Sequence, residues 1–545
     1  MAEHRKPGVA AQPNLQSKLQ RGFGQIVAAV RPTLGPYPRL VAYDHNVGAQ
    51  PPEFLDDGGM IARRIIQLPH RTEDVGAMFL RQVLWRVRQR VGDGTATTAV
   101  LFDFIYSRGA RYIAAGGNAM VLRPHLEAGM RLIDAALARL SISIKEDQGR
   151  PAFARLAHSL CPDPDLARQL DEMFKVISPY GIVDIRTGHG LETHWEYVEG
   201  TYWPGGLLSR QFETDTYQMR AELSEAAILI SDVEVKEPQD LLPILKAVMD
   251  QSDIKALLLV VKSLPDLAVH LLCSESTRQR LRVIAAKTPY TALTSQALAL
   301  EDLARLAGGR PIISQAGQTL RDARLEDLGR ARRVWADRHN FGLVDGLGDQ
   351  DQLLDFLGRI GQAHQNSIDA KEHDRLQERL GKLVGGSATL WIGGATKSEL
   401  ETRRQLAIRA VKAMRVAMLA GVLPGGGAAL LACQPIFQKR LKAGSIEPEQ
   451  VAWRILHEAL EAPVRALLTN AGHEPARILD EIRRAGSGFG FDLHSRRVVN
   501  MLKAGIFDTA AMQRDAVRSA ITSAALALTI DTVVHHREPA LETEP

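Results

Sequence analysis

The apolar residues change their spacing twice along the chain, and this feature most restricts how the chain folds. Up to about residue 139 they recur at helical intervals. From about 200 to 387, short aliphatic runs alternate with helical patterns, and a helical pattern then returns. The 545 residues also exceed the roughly 250–300 that one hydrophobic core supports. We therefore expect about three domains, with α/β structure in the middle one.

The middle zone contains short runs typical of buried strands. Leu257–Val261 and Val283–Ala286 are aliphatic throughout, as in strands covered on both faces. Between them, Leu267, Leu271 and Leu272 have helical spacing. This alternation of strand and helix predicts an α/β layer.

The third zone begins with a predicted strand at Ser387–Gly394 and continues with a long helix. From about Glu399 to Ala420, apolar residues repeat at steps of three and four and form a stripe along one side. Gly421 is predicted to end this helix, and Gly425–Gly427 to open another.

Charge and cysteine content exclude several classes of protein. The 67 basic and 63 acidic residues leave a net charge of +4. The chain has no block of basic residues interleaved with aromatic ones, the pattern that would predict nucleic-acid binding. Cys161, Cys273 and Cys433 are scattered, which excludes a disulfide framework or a CxxC metal site. The aliphatic runs are too short to span a membrane, and no secretory signal precedes them. We therefore expect a cytoplasmic protein with no nucleic-acid or membrane partner.

A glycine- and threonine-rich segment, Gly92–Thr98, precedes a predicted helix that carries an apolar face. Glycine lets backbone N–H groups approach a ligand, and the N-terminus of a helix attracts phosphate. Asp93 offers the oxygen ligands that Mg²⁺ prefers. The same residues would also serve as a helix cap and turn, so the pattern leaves both interpretations open.

Three further segments are each ambiguous alone. Thr33–Pro36 is a turn pattern. Asp56–Gly59 is either a pair of carboxylates that positions metal or water, or a solvated turn. Gly425–Gly427 is either a loop that approaches phosphate or a close contact between helices.

The order of these segments resembles the group I chaperonins, the family of GroEL and mitochondrial chaperonin-60. This chain reads TLGP, DDGG, GDGT, GVLPGGG and GIFD, where the family typically has TLGP, KDG, GDGTTT, GVVAGGG and GILDP. Connecting segments such as Ala114–Asn118 and Leu325–Gly329 match as well. The resemblance extends from about residue 20 to 535, which is nearly the whole chain.

This resemblance implies a multidomain, GroEL-like chaperonin fold. Its parts would be a mainly α equatorial domain that binds ATP (1–139 and 421–545), a small α/β intermediate domain (140–199 and 388–420) and an α/β apical domain that binds clients (200–387). The first two domains would each be assembled from two separate stretches of chain.

The resemblance also assigns a site for ATP and Mg²⁺, residue by residue. The implied positions are Thr33, Leu34, Gly35 and Pro36 along the adenosine diphosphate, Asp93 at Mg²⁺, Gly94, Thr95 and Thr97 at the phosphates, Gly426 across the pocket, Asp492 near the base and Asp508 at the ribose. Asp57 would be the acidic residue near the attacking water.

Several positions depart from the family pattern. Arg409 stands where the family has its main hydrolytic aspartate, and a guanidinium cannot accept a proton. Loss of a positioned base typically lowers the rate by about 10²–10⁴. Asp56 replaces the lysine of KDG, Ala96 a threonine, and Asp492 an asparagine near the base. From the residues alone, Arg409 would be a solvated helix residue; with the resemblance, it predicts slow or absent hydrolysis with nucleotide binding retained or weakened.

The middle zone implies a surface for non-native polypeptides. The positions that match the family are Leu207, Phe212, Leu242, Leu245, Val269, Cys273 and Ser274. Leu242 and Leu245 are three apart and so are able to share one helix face. The alternative is that these leucines are core residues, since helical spacing alone does not separate a core face from an exposed one.

The expected function is therefore that of an ATP-dependent chaperonin subunit that assists folding in a ring, with impaired hydrolysis. The resemblance implies assembly into a seven-membered ring, single or doubled, and allows a co-chaperonin as a partner. The alternative is a paralogue that does not cycle and acts as a holdase, a scaffold or a subunit of a mixed ring. Arg409, and a C-terminus without the family's Gly-Met repeat, favour that alternative.

Overall fold

The structure is a computed structural model of the chain. It describes residues 8–12, 14–36, 38–44, 52–143, 151–177, 181–188, 190–198, 200–215, 219–367, 369–384 and 387–535. The C-terminal segment that lacks the Gly-Met repeat falls largely outside these residues.

The helices and strands are numbered here in chain order. The helices are α1 (Leu15–Val30), α2 (Gly58–Arg64), α3 (Arg71–Val91), α4 (Thr95–Ala114), α5 (Ala119–Leu140), α6 (Pro151–Leu160), α7 (Pro164–Val176), α8 (Leu242–Met249), α9 (Asp266–Cys273), α10 (Glu275–Arg278), α11 (Leu293–Ala307), α12 (Gln350–Asn366), α13 (Ala370–Val384), α14 (Lys397–Ala420), α15 (Ala428–Cys433), α16 (Pro435–Gln438), α17 (Pro448–Ala459), α18 (Ala462–Asn470), α19 (Pro475–Ala485) and α20 (Ala510–Leu528). The strands are β1 (Gly8–Ala11), β2 (Val41–Tyr43), β3 (Glu53–Leu55), β4 (Ile182–Thr187), β5 (His194–Val198), β6 (Thr201–Pro204), β7 (Ala221–Ile230), β8 (Ala256–Val261), β9 (Arg282–Lys287), β10 (Gly329–Ala336), β11 (Asn340–Gly346), β12 (Ser387–Ile392), β13 (Val422–Pro424), β14 (Phe489–Asp492), β15 (Arg497–Asn500), β16 (Phe507–Thr509) and β17 (Thr532–His535).

The chain divides into two compact units. The first combines Met1–Asp171 with Gln405–Pro545, and the second is Glu172–Arg404. The first unit is therefore built from two separate stretches of chain, and the division falls inside α7 and α14. It does not separate an intermediate domain, so the domain boundaries expected from the resemblance stay predictions.

The first unit is a bundle of helices around an aromatic centre. On α1, residues such as Leu15, Leu19 and Phe23 recur at four-residue steps and are buried, which gives the helix one apolar face. The ring of Phe23 packs edge-on against Phe102 and Tyr106 of α4, with centroids 4.9 and 4.8 Å apart. Helices α3, α5, α17 and α20 complete this core.

Two short antiparallel pairs lie beside the bundle and carry site residues. Strand β13 pairs with β16, so that Leu423 lies opposite Asp508. Strand β14 pairs with β15 in a hairpin. Because β13 leads directly into the triple glycine, this pairing brings that loop next to Asp508.

The second unit contains two sheets. The larger one has the strand order β6-β11-β10-β7-β8-β9; β7, β8 and β9 are parallel, and the other pairs are antiparallel. The smaller one has the order β4-β12-β5, in which β12 is parallel to β4 and antiparallel to β5. Every residue of β8 is buried, as its continuous aliphatic run predicted.

The main elements expected from the sequence are confirmed. The predicted strands correspond to β8, β9 and β12, and the helix between the first two is α9. The long helix is α14, which begins at Lys397 rather than at Glu399. Within the described ranges, the structure contains no helix with both the length and the apolar character needed to span a bilayer.

Candidate functional site

A cavity of about 700 Å³ opens in the first unit. This volume lies in the range typical of small-molecule sites. It is lined by every residue that the sequence assigned to nucleotide binding or hydrolysis: Thr33, Leu34, Gly35, Pro36, Asp57, Asp93, Gly94, Thr95, Thr97, Arg409, Gly426, Asp492 and Asp508. Asp56 also lines it. Segments far apart in the chain therefore converge on one place.

The loop before α4 is shaped by glycine. Gly94 has a φ of +85°, in the left-handed region, and a Cβ there would lie 2.8 Å from the Cγ of Met512. The Thr98 hydroxyl donates to the Gly94 carbonyl oxygen at 2.8 Å, which ties the first turn to the loop. No side chain caps α4 in the described structure, so its first N–H groups remain available to an anion.

The Asp93 side chain is exposed to the cavity, but enough protein surrounds it to desolvate its carboxylate. Its Oδ1 accepts a hydrogen bond from the Gly94 N–H at 2.7 Å. Desolvation raises its pKa, while the Gly94 N–H and the charge of Arg409 act in the opposite direction. A cation or a hydrogen-bond donor beside this carboxylate would therefore favour its ionised form.

Asp57 is held by the backbone and by an arginine rather than exposed in a solvated turn. It is the N-cap of α2, where its Oδ1 accepts from the N–H groups of Gly59 and Met60 at 2.8 and 3.0 Å. Its Oδ2 accepts from Nε of Arg88 at 2.8 Å, and both side chains are largely buried. These contacts use both oxygens of the carboxylate.

Arg409 projects from α14 into the same charged cluster. Its Nη2 donates to Oδ2 and Oδ1 of Asp56 at 3.0 and 3.2 Å, and its Nη1 lies 3.9 Å from Oδ2 of Asp57. Only 23% of its side chain is exposed, so it is not a solvated helix residue. Burial alone would lower its pKa, but Asp56 and Asp57 outweigh burial and raise it. Its Nε–H is buried and has no acceptor among the described residues.

Gly426 and Asp508 form the opposite side of the cavity. Gly426 has a φ of +62°, which a residue with a Cβ adopts only with strain. Oδ2 of Asp508 accepts from Nε2 of Gln513 at 2.7 Å. Desolvation raises the pKa of Asp508 to about 6, and the nearby charge of Asp93 acts in the same direction, whereas the hydrogen bonds from Gln513 and the Gly427 N–H oppose it.

The remaining predicted positions are fixed by local hydrogen bonds. Asp492 accepts from the N–H groups of His494 and Ser495 at 2.9 and 3.2 Å and so holds the turn between β14 and β15. Nδ2 of Asn470 donates to the Leu34 carbonyl oxygen at 3.0 Å. The Thr33 hydroxyl donates to the Val30 carbonyl oxygen at 2.8 Å. Hydrogen bonds within the protein therefore fix the rim of the cavity.

Comparison with known proteins identifies the family. Residues 182–538 match the family model of the TCP-1/cpn60 chaperonin family, and this is more than half of the chain. The chain belongs to this family. The matched range contains Arg409, Gly426 and Asp508, whereas the Gly92–Thr98 segment of this chaperonin precedes it.

Two solved structures resemble this chaperonin over nearly its whole length. Both are of the chaperonin gp146 from the bacteriophage EL 2 (Pseudomonas aeruginosa) in the presence of ATP-BeFx, in crystal forms I and II. Each is 18% identical, and the match covers 97% of this chain and 99% of that one, with TM-scores of 0.70 and 0.63. The GroEL-like chaperonin fold expected from the sequence is thus confirmed.

The positions expected to bind clients do not share one environment. Phe212, Leu245 and Val269 are buried in the core of the second unit. Leu207, Cys273 and Ser274 are partly buried, and the Ser274 hydroxyl donates to the Leu271 carbonyl oxygen at 2.8 Å. Leu242 is 48% exposed. In this conformation, the buried members of the set therefore present almost no surface, and their role in client binding stays a prediction.

Several residues in or behind this chaperonin's cavity were not expected from the sequence. Arg88 is not a lining residue but binds Asp57, which is; it lies on α3 four residues, about one helical turn, before Gly92. Arg155, His158 and Ser159 on α6 line the cavity itself. The Ser159 hydroxyl donates to the Phe507 carbonyl oxygen at 3.1 Å and accepts from the Phe507 N–H at 2.9 Å. No sequence pattern links α6 to β16.

Proposed function

We propose that this chain is a chaperonin subunit that binds adenine nucleotide in the cavity of its first unit and hydrolyses it slowly or not at all. Its client would be a non-native polypeptide, and it would act within a ring. The ion pair between Arg409 and Asp56 carries the proposal, because it neutralises the acidic group next to Asp57.

Nucleotide binding is supported by the loop before α4. Its N–H groups, the glycine geometry at Gly94 and the threonines at 95 and 97 meet in a cavity large enough for a nucleotide. The phage chaperonin of similar fold was crystallised in the presence of ATP-BeFx. Asp93 is the carboxylate that would hold Mg²⁺, which in nucleotide sites usually takes one or two carboxylates together with phosphate oxygens.

Slow hydrolysis is supported by the state of the other carboxylates. In-line attack on the γ-phosphate needs a residue that orients the attacking water. Asp56 is bound by Arg409, and Asp57 is bound by Arg88 and by the first N–H groups of α2. Carboxylate oxygens that already accept hydrogen bonds from an arginine are less free to bind and orient water.

Two of the departures from the family pattern contact each other in the structure. The resemblance assigns a lysine to position 56 and an aspartate to position 409; this chain has the opposite charges there, and the two side chains contact each other at 3.0 Å. The pair is therefore charge-exchanged rather than simply lost. Replacement of Arg409 alone by aspartate would place two carboxylates together without a counter-ion.

The test is therefore the double exchange Asp56→Lys/Arg409→Asp, with both single variants as controls. We expect little phosphate release from the unmodified protein, and a rate about 10²–10⁴ higher in the double variant, the typical contribution of a positioned base. Each single variant should stay slow. Rapid turnover by the unmodified protein, or no gain in a double variant that still binds nucleotide, would contradict slow hydrolysis through this pair.

A second candidate is a chaperonin that does not cycle, as a holdase, a scaffold or a member of a mixed ring. It is favoured by the same arginines, because both candidate catalytic carboxylates are paired. Suppression of aggregation of a denatured enzyme without ATP would support the holdase, whereas ATP-dependent recovery of its activity, with or without a co-chaperonin, would support the folding cage. Native mass spectrometry would separate a homo-oligomer from a mixed ring.

A further inference from the structure

The charged cluster in the cavity contains its own cations. Arg409 and Arg88 pair with Asp56 and Asp57, each at 3.0 Å or less, and so offset two of the three negative charges that Asp93 completes. In the described part of the chain, no group of three or more His, Cys, Asp or Glu side chains is arranged to hold a metal ion. Asp93 fits a role as a single Mg²⁺ ligand beside phosphate oxygens, but the other two carboxylates are already occupied.

We propose that Arg409 acts as a built-in counter-ion for the nucleotide phosphates, so that this chain binds nucleotide with little dependence on Mg²⁺. This inference rests on the proposed nucleotide site. Mg²⁺ normally offsets the charge of the phosphates and of the acidic residues around them. A guanidinium is charged at every physiological pH and forms directional hydrogen bonds with phosphate oxygens, so it supplies both effects.

The unpaired Nε–H of Arg409 supports this role. A buried donor without an acceptor is unfavourable, and native proteins rarely retain one without a function or a bound partner. Asp56 holds Nη2 of the same guanidinium, so the group is fixed before a ligand binds. Arg409 lines the cavity and 23% of its side chain is exposed, so a phosphate oxygen would contact the guanidinium there, and the buried Nε–H would accept it only after the side chain moves.

The position of Arg409 relative to Asp93 is also consistent with this role. Both side chains line the same cavity. An aspartate at this position would repel phosphate, and a cation between the two groups would then have to offset that repulsion. Here the guanidinium removes most of that requirement.

The experiment measures dissociation constants for ATP and ADP by calorimetry, in excess EDTA and in saturating Mg²⁺. For the unmodified protein we expect the two conditions to differ by less than about threefold. For Arg409→Gln we expect affinity in EDTA to fall by about 10- to 100-fold, the usual effect of losing a charged hydrogen bond, and Mg²⁺ to restore most of it. Arg404→Gln, on the same helix but paired with Glu401, is the matched control and should behave like the unmodified protein.

Each outcome distinguishes the inference from the proposed function. The counter-ion role is wrong, and the nucleotide site stands, in either of two cases. The unmodified protein binds nucleotide at least tenfold more weakly in EDTA than in Mg²⁺, or Arg409→Gln weakens binding equally in both conditions. If no nucleotide binds in either condition, the proposed function itself is wrong. Because Arg409→Gln leaves Asp56 unpaired, Asp56→Asn/Arg409→Gln provides a neutral variant with the same expected Mg²⁺ dependence, and thermal unfolding verifies that both variants fold.

Discussion

The two units of the chain differ in whether the residues that the sequence assigned to one role come together in the structure. In the first unit, every residue assigned to the nucleotide lines one cavity. In the second unit, the residues assigned to client binding are divided between the core and the surface: Leu245 is 5% exposed, and Leu242, three residues earlier on the same helix, is 48% exposed.

The difference follows from what each pattern requires physically. A loop with Gly94 at positive φ, followed by a helix N-terminus, has few uses other than a turn or an anion site. Aliphatic residues at helical spacing are needed equally by a core face and by a binding face. Apolar patterns therefore predict the helix and leave its exposed side undetermined.

The largest expected effect tests the second unit at Leu245. Leu245→Ala should lower the free energy of unfolding by about 2–5 kcal/mol, because it leaves a cavity in a closed core. Leu242→Ala on the same helix is the matched control and should change it by no more than about 0.5 kcal/mol. Denaturant unfolding of both variants measures these values.

Client binding adds a second measurement to this pair. Leu242→Ala should weaken capture of a denatured test protein, whereas Leu245→Ala should affect capture only through lost stability. If Leu245→Ala left the free energy of unfolding unchanged and still abolished capture, the buried members of the predicted set would reach the client. The contrast between the two units would then disappear.

The next effect concerns pH and the cavity of the first unit. The pKa of Asp508 is raised from 3.8 to about 6, so between these values the folded protein holds a proton that the unfolded chain has released. The stability that this group contributes is complete below about pH 4 and is lost as pH rises through about 6. Asp508→Asn should therefore gain stability relative to the unmodified protein across this window, by at most about 3 kcal/mol.

Unfolding midpoints at pH 4, 5, 6 and 7.5 test this expectation. Desolvation also raises the pKa of Asp302, in the second unit, to about 6. Asp302 therefore makes stability fall with rising pH in the unmodified protein and in Asp508→Asn alike. Parallel curves for Asp508→Asn and the unmodified protein would mean that the cavity does not desolvate Asp508.

A smaller effect is expected at Gly94. Gly94→Ala forces a Cβ into the left-handed region near the Cγ of Met512, which should cost about 1–3 kcal/mol and reduce nucleotide affinity. Gly24→Ala is the control, because a Cβ added at Gly24 in α1 would meet no atom within 4 Å, and alanine there should stabilise by about 0.5–1 kcal/mol. Equal effects of the two substitutions on nucleotide affinity would mean that the geometry of the loop before α4 is not required for binding.

Much of the fold and most of the candidate site could be predicted from the sequence. The residues that the resemblance assigned to the nucleotide all line one cavity, and aliphatic runs predicted β8 and β9, since strands buried on both faces need such runs. Arg88 and α6 were missed, because their partners, Asp57 and Phe507, are distant in the chain and no periodicity connects them. Local sequence patterns did not predict the burial of Phe212 either.

The sequence by itself determined the family resemblance, the main helices and strands and the presence of an arginine at position 409. Only the tertiary structure decided what that arginine does, because it brought Asp56 to 3.0 Å from a side chain 353 residues away. Local patterns record what one segment needs in order to fold. The balance of charge inside a cavity depends on every segment that enters it, and on how much water the fold excludes.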